Sequence, residues 1–386
     1  MGIFIDRGNL LFRDARRKNF VDKSGVIEIL NDSLDSEQRF VCVSRPRRFG
    51  KTMAAKMIYA YYDRSDDSHY LFDDLQISRS ADYETYLNKF PTIFIDWNRF
   101  SRFDKTEILA KAQKEIVEDL AKTYPFLSQK SDLFSALVEI YEHTSQRFVL
   151  IIDEWDMLIR DVDLDTQTAY VNFLRNMFKS DAGAQIFSLV YMTGILPIIK
   201  VETQSALNNF VEYSVVRPAK TAPFYGFVES EVESLCLQHN MNLALMKHAY
   251  DGYIIGDQPS VFNPYSVIMS LSDGRYGSHW TNTAAFSAIE TYITIDADNV
   301  RDKIIRMLNG ESVRVKVTSF RNDMKNVETA DDVLTLLVHL GYLSYDPDSE
   351  MVRIPNTEVA GEFENAVADA DWNEVSRAIK NSNTLR

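Results

Sequence analysis

The sequence predicts an α/β protein in which roughly the first 230 residues build a parallel sheet between helices, and two features carry that reading. Short runs rich in β-branched and aromatic residues recur without polar alternation at 40–43, 92–95, 148–152, 186–192 and 224–227. Strands apolar on both faces are what a sheet covered by helices on either side requires. Helix-length segments separate the runs: 106–122, with Ile108, Leu109, Ala112, Ile116 and Leu120 at helical spacing, and 166–178, with Tyr170, Phe173, Leu174 and Met177. From Ser230 onward strand-like runs nearly disappear, and helical patterning is broken by turn-rich segments at 251–264 and 272–278. A third region opens near Asp296. There 331–339 reads as a helix, 346–350 as a turn and 351–354 as a strand, an order that suggests a small winged-helix-like unit.

Composition bounds the function. In a chain of 386 residues, hydrophobic residues at 45% and charged residues at 25% match globular averages and exclude collagen, coiled coil and wholesale disorder. A net charge of −14 repels nucleic acid and anionic membrane, so a polyanion would need a local basic cluster. Cys42 and Cys236 stand far apart in apolar settings, as buried thiols in a reducing compartment do, and no Cys or His pairing has metal-ligand spacing. Asp6, Arg7 and Arg13 interrupt any signal-peptide core, and the longest apolar stretch, 186–199, contains Gly194 and Pro197 and is too short to span a bilayer. A cytoplasmic protein without membrane contact is expected.

The run RFVCVS ends in RPRRFGKT, and MAAKMIYAYY follows with helix-forming composition. Gly50-Lys51-Thr52 closes a Walker A motif, in which backbone amides cradle phosphate, the lysine reaches the outer phosphates and the hydroxyl binds Mg²⁺. Arg45 stands where the first glycine of the motif belongs. About a hundred residues later FVLIIDEWD places Asp153 and Glu154 at a strand end, where one carboxylate holds Mg²⁺ and the next orients and deprotonates the attacking water. Thr193 closes the next apolar run as a candidate γ-phosphate sensor. Arg217 is a candidate arginine finger, or a solvated loop residue ahead of Pro218. Asp156 reads as a surface or capping residue.

On these residues the chain resembles a bacterial and archaeal predicted AAA-ATPase-like family with an SRPRRFGKS-type phosphate loop. Ser44 to Thr52 matches nearly letter for letter, FVDKSG, IIDEWD and MTGILPI fill the family's other slots, and SALNNF, FYGFVESEV, YDGY, VFNPYSV, HWTNT and LGYLS follow in the expected order. The resemblance implies an additional-strand, AAA-like P-loop NTPase core, a helical lid and a winged-helix-like C-terminal region. It divides the chain into a core at 1–228, a lid at 229–295, a winged-helix-like region at 296–356 and a helical tail at 357–386. It implies ATP and Mg²⁺ as cofactors, with Arg45, Pro46, Arg47, Arg48, Phe49, Gly50, Lys51, Thr52 and Met53 around the phosphates, Thr52 and Asp153 at the metal, and Lys51, Glu154, Thr193 and Arg217 in catalysis. Relatives often continue into a PD-(D/E)XK nuclease-like domain. Pro347-Asp348 has no acidic-x-Lys partner, so no nuclease chemistry is expected here.

Three functions remain in view: an ATPase whose turnover drives or gates movement, an ATP-binding switch with little turnover, and a nucleic-acid module. The last would use Arg301, Lys303, Arg306, Arg314, Lys316 and Arg321, which alternate with acids and which the net charge does not support. Arg47 or Arg48 could equally serve local structure or a partner. In the tail, Val359, Phe363, Ala366, Val367 and Ala370 form one apolar stripe. Asp371 and Glu374 start a second helix bearing Trp372, Val375 and Ile379. Such helices need a cover: they fold back onto the lid, pack on the winged-helix-like region, or form a surface for a partner or, in longer relatives, lead into the nuclease-like domain.

Overall fold

Four of the five apolar runs become neighbouring strands because each is buried on both faces. The computed structural model describes residues 2–127, 132–160, 162–198, 200–201, 204–205, 207–279, 299–320, 327 and 329–369. Strands β1 (Phe40–Ser44), β2 (Thr92–Asp96), β3 (Phe148–Asp153) and β4 (Phe187–Gly194) are buried throughout, apart from Asp96. After the antiparallel pair β5 (Lys200–Val201) and β6 (Gln204–Ser205) comes β7 (Val211–Tyr213), which completes a five-stranded sheet of order β2-β3-β4-β1-β7. All its pairings are parallel. The order inserts β4 between β1 and β3.

The fifth strand is not the 224–227 run. A 3₁₀ turn, Ala219–Phe224, contains Pro223, and Gly226 follows with φ +91°, so of this run only Phe227 enters a strand, β8 (Phe227–Val228), which joins another sheet. Proline removes a ladder donor, and the left-handed glycine turns the chain. β7 escaped notice because Glu212 breaks its apolar character, as an edge strand open to solvent allows.

The expected helices form at Ile108–Thr123 and Leu164–Phe178. The first buries Ile108, Ala112, Ile116 and Leu120, and also Asp119, whose Oδ2 accepts from the amides of Ile3 and Phe4 at 2.7 Å each. The amino-terminal segment is thereby pinned beside β2, where Phe94 donates its amide to the Phe4 carbonyl. Asp163 caps the second helix through the Thr166 amide.

Contacts group the chain into two units, 1–44 with 51–213, and 45–50 with 214–386. The second unit holds helices Glu229–His239, Leu243–Tyr250 and Pro264–Asp273. It also holds a hairpin where only turns were expected: β9 (Tyr253–Ile255) and β10 (Gln258–Phe262) form a sheet of order β8-β10-β9. Its brevity and Pro259 hid it from pattern reading.

Further on, helix Val300–Leu308, β11 (Val313–Arg314), helix Ala330–Leu340, β12 (Ser344–Asp346) and β13 (Met351–Arg353) follow, with sheet order β11-β13-β12. This helix, strand, helix and hairpin order is winged-helix-like. Helix Thr357–Asp369 buries Val359, Phe363 and Ala366, and the Phe363 ring meets Tyr342 edge-on at 6.2 Å. The first tail helix is thus part of the second unit's core, and truncation from residue 357 is expected to expose that core and lower solubility, measurable by light scattering. Ala370, Asp371, Trp372, Glu374, Val375 and Ile379 lie outside the described residues, as does Arg321.

His339 sits in the same core, 2% exposed, stacked on Phe320, with no hydrogen-bond partner for Nδ1. Burial pushes its pKa down to about 3. A folded pKa below the unfolded value gives stability that is complete above about pH 6.5 and lost as pH falls toward 3. The loss should approach about 1.4 kcal/mol per pH unit. Denaturant melts of His339→Phe across this window should show a shallower decline than wild type; parallel declines would place the acid sensitivity elsewhere.

Candidate nucleotide site

Helix Lys51–Tyr62 begins on the lysine itself and is buried along most of its length by Ala54, Ala55, Met57, Ile58, Tyr59, Ala60, Tyr61 and Tyr62. A helix so embedded fixes its first residue beyond the carboxyl end of β1, the edge of a parallel sheet where ligands bind. Lys51 is only 4% exposed. Burial lowers its pKa, and the charges of Glu154, Asp153 and Asp156 pull it back up, in that order.

Asp153 ends β3, in register with Thr193 on β4 and Asp96 on β2. Its Oδ1 accepts from the Glu154 amide at 3.1 Å, while Oδ2 is buried without a hydrogen bond of ordinary geometry. Burial, then the Glu154 charge, push its pKa up to about 7, and the nearby Thr52 hydroxyl offsets only part of this. A buried carboxylate oxygen lacking a partner, beside a threonine hydroxyl, is a donor set that suits Mg²⁺, a hard cation that takes oxygen ligands. Thr193 is fully buried, and among the described residues its hydroxyl has no hydrogen-bond partner. Glu154 adopts φ +54°, the left-handed region uncommon for a non-glycine residue.

Asp156 is not on the surface. It is fully buried, and its Oδ2 accepts from the amides of Ile195 and Leu196 at 3.2 and 3.0 Å and from Arg160 Nε at 2.9 Å. Here the surface reading is corrected: the acid tethers the turn after β4 to the segment after β3. Gly194 completes the fit, since a Cβ there would lie 2.5 Å from Asp156 Oδ1 and 2.7 Å from the Trp155 ring. The signal in the sequence was the third acid of D-E-W-D, followed by a T-G at the next strand end. Asp156→Ala removes the acceptor of Arg160 Nε and of two buried amides and should cost about 3–5 kcal/mol, read from the urea midpoint.

The loop before Lys51 groups with the second unit. Arg45 is fully buried, donating to Thr221 Oγ1 at 2.7 Å with its guanidinium 5.1 Å from the centre of the Tyr225 ring. Arg48, in a left-handed conformation at φ +70°, lies 4.1 Å from the Tyr265 ring centre and donates to the His279 carbonyl. Phe49 meets Tyr253 edge-on at 5.0 Å, and its carbonyl accepts from the Gly226 amide at 3.2 Å. Pro46 is buried, Arg47 half-buried and Met53 exposed, while Gly50 takes φ +87°. Arg217 is exposed in the second unit.

A parallel sheet with β4 inserted, Gly-Lys-Thr opening the helix after β1 and an acidic pair closing β3 define a P-loop NTPase of the additional-strand, AAA-like type. A sequence model of the family described as Predicted AAA-ATPase matches residues 11–203, and the chain belongs to that family. Nucleotide binding and hydrolysis are the activities of this class. No curated protein matches the chain.

Among solved structures it is similar to the Aeropyrum pernix ORC2 protein in ADPNP-ADP complexes, at 12% identity and TM-score 0.38, covering 95% of this chain and 99% of that one. It is also similar to Cdc6p from Pyrobaculum aerophilum, at 10% identity and TM-score 0.33, covering 95% and 99%. The Aeropyrum pernix ORC1 protein in complex with DNA gives 12% identity and TM-score 0.36, covering 94% and 96%. Among the described residues no helix is long and apolar enough to cross a membrane.

Proposed function

We propose that the protein is a Mg²⁺-dependent ATPase whose turnover drives or gates a conformational change in a regulatory or nuclease-associated prokaryotic system. The observation that carries this reading is the pair of buried oxygens without partners, Asp153 Oδ2 and the Thr193 hydroxyl, in register at two adjacent strand ends. Unpaired buried polar atoms cost free energy unless a ligand satisfies them. Lys51 binds the outer phosphates, Thr52 and Asp153 hold the metal, Thr193 reads the γ-phosphate and Glu154 orients and deprotonates water. Mg²⁺, when bound, neutralises charge on the β- and γ-phosphates. The amides of the loop up to Gly50 cradle phosphate, while Arg45 and Arg48 serve its support. The division into core, lid at 229–295, winged-helix-like region at 296–356 and tail belongs to the proposal, as do a C-terminal protein or nuclease-like partner, self-association and a cytoplasmic location.

The test is phosphate release from ATP by the purified protein, with Mg²⁺ or EDTA and with or without DNA. Metal-dependent release is expected. Binding without release under every condition would favour the switch reading, to which the engagement of Glu154 by Arg160 lends weight. Neither binding nor release would sink both.

A further inference from the structure

Glu154 is not open to water on every side. Its Oε2 accepts from Arg160 Nη2 at 3.3 Å, and the Arg160 side chain is only 9% exposed. Arg160 closes the short helix Met157–Arg160, and its Nε donates to Asp156 Oδ2 at 2.9 Å. Asp156 in turn holds the amides of Ile195 and Leu196, which follow Thr193 and Gly194 at the end of β4. A chain of charge-assisted bonds therefore runs from the turn after β4, through Asp156 and Arg160, to Glu154.

The bonds from Arg160 to the two carboxylates differ. The shorter goes to a carboxylate with no exposure, fixed by two backbone amides; the longer goes to one whose side chain is 17% exposed. Charge-assisted bonds strengthen as they shorten, so the link opens at Glu154 and stays closed at Asp156. While it is closed, a guanidinium holds one oxygen of the carboxylate that a general base would turn toward water.

We propose that Arg160 is a positioning residue that restrains Glu154 until a shift of residues 195 and 196 withdraws it. The proposal rests on Glu154 being the base. Once released, Glu154 accepts one proton from a water whose oxygen bonds to the γ-phosphorus as the bond to the β–γ bridging oxygen breaks, giving ADP and phosphate. The strand end carrying Thr193 and the base thereby report to one another through Asp156 and Arg160.

The test is Arg160→Gln, which keeps an N–H for Asp156 and removes the cation from Glu154. Steady-state turnover should rise about tenfold, the equivalent of one charge-assisted bond, with KM for Mg-ATP unchanged. The gain should vanish in the double variant with Glu154→Gln, a dependence that a purely structural role for Arg160 would not produce. Arg160→Lys, whose single ammonium cannot bridge both carboxylates, should show a smaller gain and serves if the glutamine variant does not fold. Turnover at or below wild type in a folded Arg160 variant overturns the restraint while leaving the ATPase reading intact. A wild type that neither binds nor hydrolyses Mg-ATP removes that reading first, and the restraint with it.

Discussion

Mg-ATP at a hundred times its dissociation constant should raise the unfolding free energy of the wild-type protein by about 2.7 kcal/mol, and Lys51→Ala should erase that gain. Lys51 is the first residue of a buried helix and is itself almost fully enclosed, so its ammonium has a fixed position that a flexible surface lysine could not reproduce. Burial already lowers its pKa, which makes a polyanion a favourable partner for the charged form. Arg45 and Arg48 do not replace it, being committed to Thr221 and the His279 carbonyl. The comparison is the thermal shift of each protein against its own nucleotide-free sample. An equal shift in the variant, or none in wild type, would remove Lys51 from the phosphate site.

Glu154→Gln should leave nucleotide binding intact and slow hydrolysis by about 10²–10⁴-fold, the range for loss of a general base. The amide keeps the shape of the side chain, and a glutamine oxygen can still accept from Arg160, so local packing survives. What disappears is the capacity to take a proton from water. Undiminished single-turnover release of phosphate would transfer the base to another group, with Asp153, whose pKa is pushed up to about 7, the first to examine.

Much of this was legible from residue order because burial on both faces leaves a strong signature. The apolar runs at β1 to β4 could hardly be anything but strands of a covered sheet, and the motif residues Lys51, Thr52, Asp153, Glu154 and Thr193 fall at their carboxyl ends. The rest was hidden for physical reasons. β7 is an edge strand of three residues carrying an outward glutamate, so its pattern is weak. The β9–β10 hairpin is built from three and five residues with a proline inside, below what alternation can detect. Asp156 and Arg160 were invisible as a pair, since burial of a charged residue depends on partners that fold in from residues 195 and 196. The turn of Arg45 toward Thr221 and of Arg48 toward the His279 carbonyl was hidden because charge density along a sequence does not say which way a side chain points.

That loop has a consequence for protein engineering. Residues 45–50 lie between β1 and the helix of Lys51, yet their side chains find their partners at Thr221, Tyr225, Tyr253, Tyr265 and His279. A recombination breakpoint placed only near residue 214 would separate these contacting residues. Grafting a foreign carboxyl-terminal half onto this amino-terminal half would demand that the six-residue stretch be exchanged with it, as a second crossover inside the most recognisable motif of the chain. Tolerance to substitution at Arg45 and Arg48 should then track the identity of residues 221–279 rather than the choice of nucleotide.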